Sequence, residues 1–248
     1  MKIIIAPAKK MVVDTDTFNY EKLPYFMDET KSILDKMKQL SYKEAKKLWQ
    51  CSDKLAEENY QRLQDLDLNK HLTPALIAFS GIQYQYMAPD LFTEPALDYV
   101  RKNLRILSGF YGILGPFDGV VPYRLEMQSR LKVSGFKNLY DFWGSKIYHA
   151  LTVDSETIVN LSSEEYAKVI TPYLLPEQKF VTVVFGSVVD GKLKTKATLA
   201  KMARGEMVRF MAENKLTKIK EIEQFNHPDW KFSKSNSTEN RLVFVYQK

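Results

Sequence analysis

The sequence contains one cysteine, Cys51, and only three histidines among its 248 residues. A single thiol excludes an internal disulfide and any zinc or iron–sulfur site that needs several thiolates from one chain. The histidines, His71, His149 and His227, are far apart and form no i, i+4 pair. We therefore predict neither a metal centre nor a bound cofactor.

Long hydrophobic runs are also missing. The run at residues 181–189 is about half the length of the roughly 20 residues that a membrane span needs. At the N-terminus, Pro7 follows an apolar stretch that is too short for the core of a signal peptide. We expect a cytoplasmic protein without membrane contact.

Repeats, low-complexity segments and polar linkers are absent, so we predict a single domain over residues 1–248. Strand and helix signals do not alternate regularly, which favours a mixed α+β fold over a doubly wound nucleotide-binding fold. The predicted strands are residues 2–5, 75–79, 157–161, 181–189, 193–197 and 241–246, with 104–107 as a strand or a helix end. The predicted helices lie within residues 28–66, 139–151 and 198–214. Asp190 and Gly191 predict a tight hairpin between two of these strands.

Positive charge is concentrated in one part of the chain. The net charge is +6, yet residues 179–220 alone contain ten basic and three acidic residues. In the helix predicted there, Lys201 points away from the apolar side, Arg204 and Arg209 flank it, and Gly205 leaves a gap between them. Such a surface attracts phosphates or acidic partners, although a solvated lysine-rich face gives the same pattern. Gly205 predicts a close approach of backbone or ligand.

A second motif lies in the glycine- and proline-rich stretch 109–122. Gly109 and Gly112 are three residues apart within an apolar frame. A Gly-x-x-Gly hairpin between two short helices exposes amides that bind phosphate, which is the principle of helix-hairpin-helix DNA binding. Tight turns without a ligand use the same spacing.

A third cluster combines residues 123–127 with residues 160–166. Alternation places Arg124 and Glu126 side by side, and Ser162 or Ser163 is expected to begin a helix beside them. With Glu165 and Tyr166 this cluster has the groups that general acid/base catalysis needs. The alternative is an exposed ion pair worth under about 1 kcal/mol.

Together these motifs resemble the YaaA family of peroxide stress proteins. The resemblance rests on A-P-A-K, S-D-K-L-A, L-R-I-L-S-G-F-Y-G-I-L-G-P-F-D, P-Y-R-L-E-M, L-Y-D-F-W-G, N-L-S-S-E-E-Y and A-K-M-A-R-G-E-M-V-R-F, and it extends over residues 6–246. It implies an α+β domain with a positively charged cleft and a helix-hairpin-helix-like element. It also implies a cytoplasmic role in limiting iron-dependent damage during hydrogen peroxide exposure, and binding to double-stranded or structured DNA.

The resemblance assigns phosphate contacts to named residues of this chain. These are Lys9, the hairpin residues Ser108, Gly109, Tyr111 and Gly112, and the helix residues Lys201, Arg204 and Arg209. The cluster at residues 123–127 adds Arg124 as a candidate phosphate contact. Gly115 and Ser80 stand where related sequences are expected to have basic residues. Lys192, Lys194 and Lys196 compensate for that loss of charge.

Two classes of function remain open at this stage. One is a DNA-binding protein that contacts phosphates without reading sequence. The other is an enzyme for a phosphorylated or nucleotide-like substrate, with Glu126 or Glu165 as acid/base, Tyr166 or Lys9 as partner, and Arg124 with Arg204 holding the anion. Direct iron sequestration is a third interpretation, which the scarcity of soft ligands disfavours.

Overall fold

A single mixed α/β domain is built on an eight-stranded sheet in the computed structural model of the chain, which describes residues 1–247. The strands are β1 (Lys2–Ile5), β2 (Thr73–Pro74), β3 (Leu104–Ser108), β4 (Gly112–Leu114), β5 (Gly119–Val120), β6 (Thr157–Asn160), β7 (Lys179–Val189), β8 (Lys192–Lys194), β9 (Trp230–Phe232) and β10 (Arg241–Tyr246). The short β2 and β5 pair separately. The predicted domain range ends at Lys248, which lies outside the described residues.

The sheet is mostly parallel. Its order is β4-β3-β1-β6-β7-β10-β9, with β8 attached to β7. The five strands from β3 to β10 in this order run parallel, whereas β4, β8 and β9 are antiparallel to their neighbours. The chain adds β3 on one side of β1 and then crosses to add β6 on the other side. The order of strands therefore reverses at β1, which creates a topological switch point.

Helices cover this sheet and extend from its edges. The α-helices are α1 (Met27–Lys38), α2 (Tyr42–Trp49), α3 (Asp53–Asp65), α4 (Ala75–Ala78), α5 (Ile82–Met87), α6 (Glu94–Asn103), α7 (Leu139–Trp143), α8 (Lys146–Thr152), α9 (Glu164–Ala167) and α10 (Ala197–Glu213). Short 3-10 turns occur at Pro89–Leu91, Thr171–Tyr173, Ile219–Gln224 and Lys234–Asn236. Among residues 1–247, no helix combines the length and the apolar character needed to cross a lipid bilayer.

Burial explains why these segments fold as they do. Ile3, Ile4 and Ile5 of β1 are fully buried, as expected for a central parallel strand that is covered on both faces. Helix α2 begins with a capping box, in which Ser41 and Glu44 satisfy each other's backbone amides. Gly144, at φ +48°, separates α7 from α8 and thus divides the predicted helix 139–151 into two.

Several predicted strands are confirmed, including β1, β6, β10 and the β7–β8 hairpin, where Asp190 and Gly191 both have positive φ. Residues 104–107 form the strand β3. The predicted strand at residues 75–79 is wrong, because Pro74 ends β2 and the next four residues form α4. The predicted single mixed domain is confirmed, but its sheet is mostly parallel, because five parallel strands are joined by crossovers in which helices alternate with strands. Short helices and long loops between the strands conceal that alternation in the sequence.

Candidate functional site

A cavity of about 440 Å³ lies at the topological switch point. Residues 6–10 follow β1 into this cavity, and Ser163, Glu165 and Tyr166 follow β6. Open α/β sheets bind ligands outside the carboxyl ends of their strands at such a point. We call this space the switch-point cavity. Its lining residues are Ala6, Pro7, Ala8, Lys9, Lys10, Ser80, Gly81, Ile82, Gln83, Tyr84, Tyr123, Arg124, Leu125, Glu126, Ser163, Glu165, Tyr166, Lys201 and Arg204.

The structure thus brings together most of the predicted catalytic and charged residues. Lys9, Arg124, Glu126, Glu165, Tyr166, Lys201 and Arg204 all line the switch-point cavity. With Lys10, five basic and two acidic side chains face the same space. These residues come from segments separated by up to two hundred positions, and only the folding of the sheet makes them neighbours.

Arg124 and Glu126 form the inner polar wall. Burial alternates as predicted, because Tyr123, Leu125 and Met127 are buried, whereas Arg124 and Glu126 between them are partly exposed. Arg124 Nη2 lies 4.0 Å from Glu126 Oε1, and Lys9 Nζ lies 3.4 Å from the same oxygen. The Arg124 and Glu126 side chains are only 10% and 14% exposed, whereas Lys9 is 65% exposed. This pair is therefore not an exposed surface ion pair.

Glu165 and Tyr166 occupy the start of α9. Burial raises the pKa of the Glu165 carboxyl, and the nearby Glu126 carboxylate raises it further. The Gln128 amide opposes this shift by donating a hydrogen bond of 3.2 Å to Glu165 Oε1. Burial also raises the pKa of the Tyr166 phenol well above its usual value, so it stays protonated. A carboxyl that holds a proton more easily than usual is suited to general acid catalysis.

Helix α10 supplies the basic wall. Lys201 is exposed, whereas Arg204, one turn further, is largely covered, and burial lowers the pKa of its guanidinium. No carboxylate among the described residues pairs with Arg204. Arg209 lies outside the switch-point cavity, where its Nε donates to Glu213 Oε1 at 2.7 Å. The predicted trio of helix cations is therefore divided, with two at the cavity and one in a local ion pair.

Gly205 explains how α10 comes so close to the switch-point cavity. A Cβ at this position would lie 2.1 Å from the Gln83 carbonyl oxygen and 2.8 Å from the Met87 amide nitrogen of α5. The predicted close approach is confirmed, and the approaching group is the backbone of α5. This contact holds Gln83 and Arg204 against the same cavity.

Unsatisfied polar groups are concentrated at the switch-point cavity. Six buried side-chain nitrogen or oxygen atoms of the described residues lack a hydrogen-bond partner, and four belong to residues that line it. These four are Gln83 Nε2, Arg124 Nε, Glu126 Oε1 and Arg204 Nε. Native proteins leave few such atoms unpaired, because each costs roughly 1–3 kcal/mol. The four atoms offer three donors and one acceptor to a bound molecule.

The Gly-x-x-Gly segment does not form the predicted helix-hairpin-helix element. Residues 108 and 112 instead pair across the antiparallel hairpin of β3 and β4. Ser108 Oγ accepts the amides of Phe110 and Tyr111 at 3.1 and 2.9 Å and bonds the Tyr123 hydroxyl at 2.6 Å. The Gly109 carbonyl accepts from Trp143 Nε1 at 3.0 Å.

The hairpin residues are therefore unavailable to an external phosphate. Ser108, Phe110 and Tyr111 are buried, and the Tyr111 hydroxyl accepts the Val121 amide at 3.1 Å. None of Ser108, Gly109, Tyr111 and Gly112 lines the switch-point cavity. Their assignment as phosphate-binding residues is corrected, because the apolar frame around the glycines packs the turn into the core.

Sequence reasoning missed Gln83 and Lys10 as lining residues. Lys10 adjoins the recognised A-P-A-K motif and follows the same strand, so the motif contained a signal for it. No pattern in the sequence around Gln83 indicated that this residue lines the cavity. Its position depends on Gly81, where a Cβ would lie 2.8 Å from Ala8 Cβ, and on Gly205.

Comparison with known proteins identifies the family of this chain. A family model described as "Peroxide stress protein YaaA" matches residues 1–236. Proteins named "UPF0246 protein" are similar over nearly their whole length. The one from Lactiplantibacillus plantarum is 60% identical, covering 100% of both chains. The one from Pediococcus pentosaceus is 54% identical, covering 99% of this chain and 98% of the relative. With this match over most of its length, the chain belongs to the YaaA family of peroxide stress proteins.

Proposed function

We propose that the protein acts in the response to hydrogen peroxide by binding DNA phosphates at the mouth of the switch-point cavity. The observation that carries this proposal is Arg204, a largely buried guanidinium without a carboxylate partner among the described residues. It lines the switch-point cavity together with the exposed Lys201 and the 6–10 loop. A buried cation without a partner is costly, and a phosphate oxygen would relieve that cost. Lys9, Lys10 and Lys201 add the exposed charge that attracts a polyanion.

In this proposal the phosphates are bound by side-chain cations, because the Phe110 and Tyr111 amides of the hairpin already donate hydrogen bonds to Ser108. Affinity should consequently depend on salt and little on base sequence. Each neutralised phosphate adds about 0.9 to the slope of log affinity against log salt concentration. Titration of a labelled duplex at several salt concentrations measures that slope, and a flat dependence contradicts the proposal.

A matched pair of variants locates the surface. Lys9→Ala with Lys201→Ala removes two charges at the cavity mouth, and Lys43→Ala with Lys47→Ala removes two exposed charges on α2. We expect the first variant to bind duplex at least about tenfold more weakly, equivalent to about 1.4 kcal/mol. The second should bind like the parent. Equal weakening of both would mean that net charge, not this site, governs binding.

Protection from iron-dependent damage follows in this proposal from occupancy of the DNA. Duplex exposed to ferrous iron and hydrogen peroxide should break less often in the presence of the parent than in the presence of the mouth variant. Protection that is the same with both proteins would separate the stress function from DNA binding.

A second candidate is an enzyme that acts on a phosphorylated or nucleotide-like substrate. The buried atoms without a hydrogen bond favour it, because Gln83, Arg124 and Glu126 line a cavity of about 440 Å³, a volume typical of small-molecule sites. Arg124 and Arg204 would hold the anion, while Glu165 and Glu126 would exchange protons with the substrate. Tyr166 would donate a hydrogen bond as a neutral phenol.

Incubation with a panel of nucleoside phosphates and sugar phosphates, followed by mass spectrometry, tests this candidate. Turnover that Glu165→Gln abolishes while ligand binding persists would establish an enzyme. Saturable binding without any product in the parent would leave only the binding function.

A further inference from the structure

A second cavity, of about 400 Å³, lies elsewhere in the molecule and shares no lining residue with the switch-point cavity. It adjoins the hairpin edge of the sheet, between β4, the turn that follows it and the region before β6. Its lining residues are Glu21, Lys22, Tyr25, Arg101, Arg105, Ile113, Leu114, Gly115, Pro116, Phe117, Asp118, Ala150, Val153 and Asp154. The proposed function does not use this space.

Asp118 is the feature that points to a ligand. Its side chain lines the second cavity, although the residue is only 3% exposed. Oδ2 accepts the Gly115 amide at 2.7 Å, whereas Oδ1 has no hydrogen-bond partner. A buried carboxylate oxygen without a donor is costly, so a ligand that donates a hydrogen bond or carries positive charge would stabilise it.

Gly115 keeps the approach to this oxygen open. A Cβ at Gly115 would lie 3.0 Å from Asp118 Oδ1. Without a side chain at this position, Gly115 leaves room beside Oδ1 for another group.

Two cations of the second cavity, Arg105 and Lys22, form no ion pair among the described residues. Arg105 forms its hydrogen bonds through Nη1 alone, to the carbonyl oxygens of Leu104 and Arg101 at 2.6 and 3.3 Å. Lys22 is exposed and has no ion pair among the described residues. Both interact electrostatically with Asp118.

The remaining charged groups of the cavity already have partners. Arg101 pairs with Glu21 at 2.7 Å and lies over the Phe117 ring at 4.7 Å. Asp154 pairs with Lys2 at 2.9 Å. One carboxylate oxygen without a hydrogen bond and two cations without an ion pair among the described residues therefore lie beside an apolar wall that includes Ile113 and Val153.

We propose that the second cavity binds a free α-amino acid with an apolar side chain, with its ammonium group at Asp118 and its carboxylate at Arg105 and Lys22. A zwitterion supplies both missing partners in one small molecule, and the apolar wall receives its side chain. The site is independent of the proposed function, so its failure would leave the DNA-binding proposal untouched.

The ionisation of Asp118 agrees with this ligand. Burial raises the pKa of its carboxyl to about 6, against the opposing effects of the Gly115 amide, Lys22 and Arg105 and with a smaller contribution from Glu21. The carboxylate is consequently charged at neutral pH and becomes neutral below pH 6. Binding of an ammonium group should therefore weaken as the pH falls from neutral to below about 6.

Calorimetric titration of the full chain with L-leucine tests the proposal against two matched analogues. Leucinamide lacks the carboxylate, and 4-methylpentanoate lacks the ammonium group. We expect leucine to bind saturably at pH 7.5 and each analogue to bind at least tenfold more weakly. Absence of saturable leucine binding, or equal binding of either analogue, overturns the proposal.

Variants locate the site. Asp118→Asn keeps an acceptor for the Gly115 amide but removes the charge, and Gly115→Ala places a methyl group against Oδ1. Each should weaken leucine binding at least tenfold, whereas Lys47→Ala on α2 should not change it. Leucine binding that persists in both variants also overturns the proposal. Should either variant fail to fold, as shown by its thermal midpoint, the analogue comparison on the parent decides.

Discussion

The β3–β4 hairpin and the switch-point cavity differ in how their polar groups are satisfied. In the hairpin, the Ser108 hydroxyl, the Phe110 and Tyr111 amides and the Gly109 carbonyl all have partners within the protein. At the cavity, Gln83, Arg124, Glu126 and Arg204 each have a buried atom without a hydrogen bond. The two regions contain the most recognisable motifs of the chain, yet only the cavity has buried polar atoms without a hydrogen bond.

This difference shows that a motif identifies a site only when its polar groups remain free. A Gly-x-x-Gly turn binds phosphate when its amides face solvent. Here the Phe110 and Tyr111 amides donate to the Ser108 hydroxyl, and the surrounding aromatic residues bury the turn, which contributes to stability instead. Substitutions in the hairpin should therefore change stability, whereas substitutions at the cavity should change binding.

The largest effect is expected from Gly112→Val in the hairpin. Gly112 has φ +74°, and a Cβ there would lie 2.8 Å from Trp143 and 3.0 Å from Phe26. Backbone strain and the clash together should destabilise the fold by about 3 kcal/mol or more. Chemical denaturation measures the loss. Gly135→Val is the matched control, because φ there is +84° but nothing lies within 4 Å of the added Cβ. Equal losses in both variants would show that strain, not packing, dominates.

A smaller loss is expected from Ser108→Ala. The substitution removes the acceptor of two amides and the partner of the Tyr123 hydroxyl in the core, which should cost about 2 kcal/mol. DNA affinity of the folded variant, measured below its unfolding transition, should equal that of the parent. Selective loss of DNA binding in a stable variant would restore the hairpin as a contact surface.

The cavity should respond in the opposite way to Arg204→Met. Removal of a largely buried cation without a partner should leave stability unchanged or raise it by about 1 kcal/mol, while binding of DNA or of a phosphorylated ligand falls. Thermal unfolding and a binding titration on the same samples check both effects. Arg209→Met, at the cation paired with Glu213, is the control and should keep binding intact. A large loss of stability in Arg204→Met would mean that Arg204 supports the fold.

The smallest effect concerns the pH dependence of Glu165. Its pKa is raised in the folded protein, mainly by burial, so its contribution to stability is complete at low pH and is lost as pH rises through the folded pKa. Glu165→Gln removes that loss. As the pH rises through the folded pKa of Glu165, the thermal midpoint of the variant should therefore rise relative to that of the parent. A constant difference between the two across pH would contradict the raised pKa.

Local signals predicted local structure well. The apolar run of β1 before Pro7 and the Asp190–Gly191 turn needed only neighbouring residues, and both are confirmed. The wrong prediction at residues 75–79 has a different origin. These residues have the composition of a buried strand, but they follow Pro74, and residues 75–78 form α4. Burial was predicted correctly there, and the type of element depended on distant contacts.

For the candidate site, local patterns predicted the orientation of individual side chains but not which of them come together. Alternation alone placed Arg124 beside Glu126 on one side of their segment, and helical periodicity separated Lys201 from the core side of α10. Whether those two groups meet depended on the crossover from β3 to β6 and on the contact of Gly205 with α5. No periodicity within either segment contains that information.

The sequence by itself determined the family, the absence of a disulfide, the central strands and the residue types available for binding anions. The tertiary structure alone decided which of those residues remain free. Hydrogen bonds and burial are settled by contacts between distant segments, such as Ser108 with Tyr123 and Gly205 with Gln83. The same arginine or amide is satisfied in one environment and unpaired in another, and the free energy that it offers to a ligand depends on that difference.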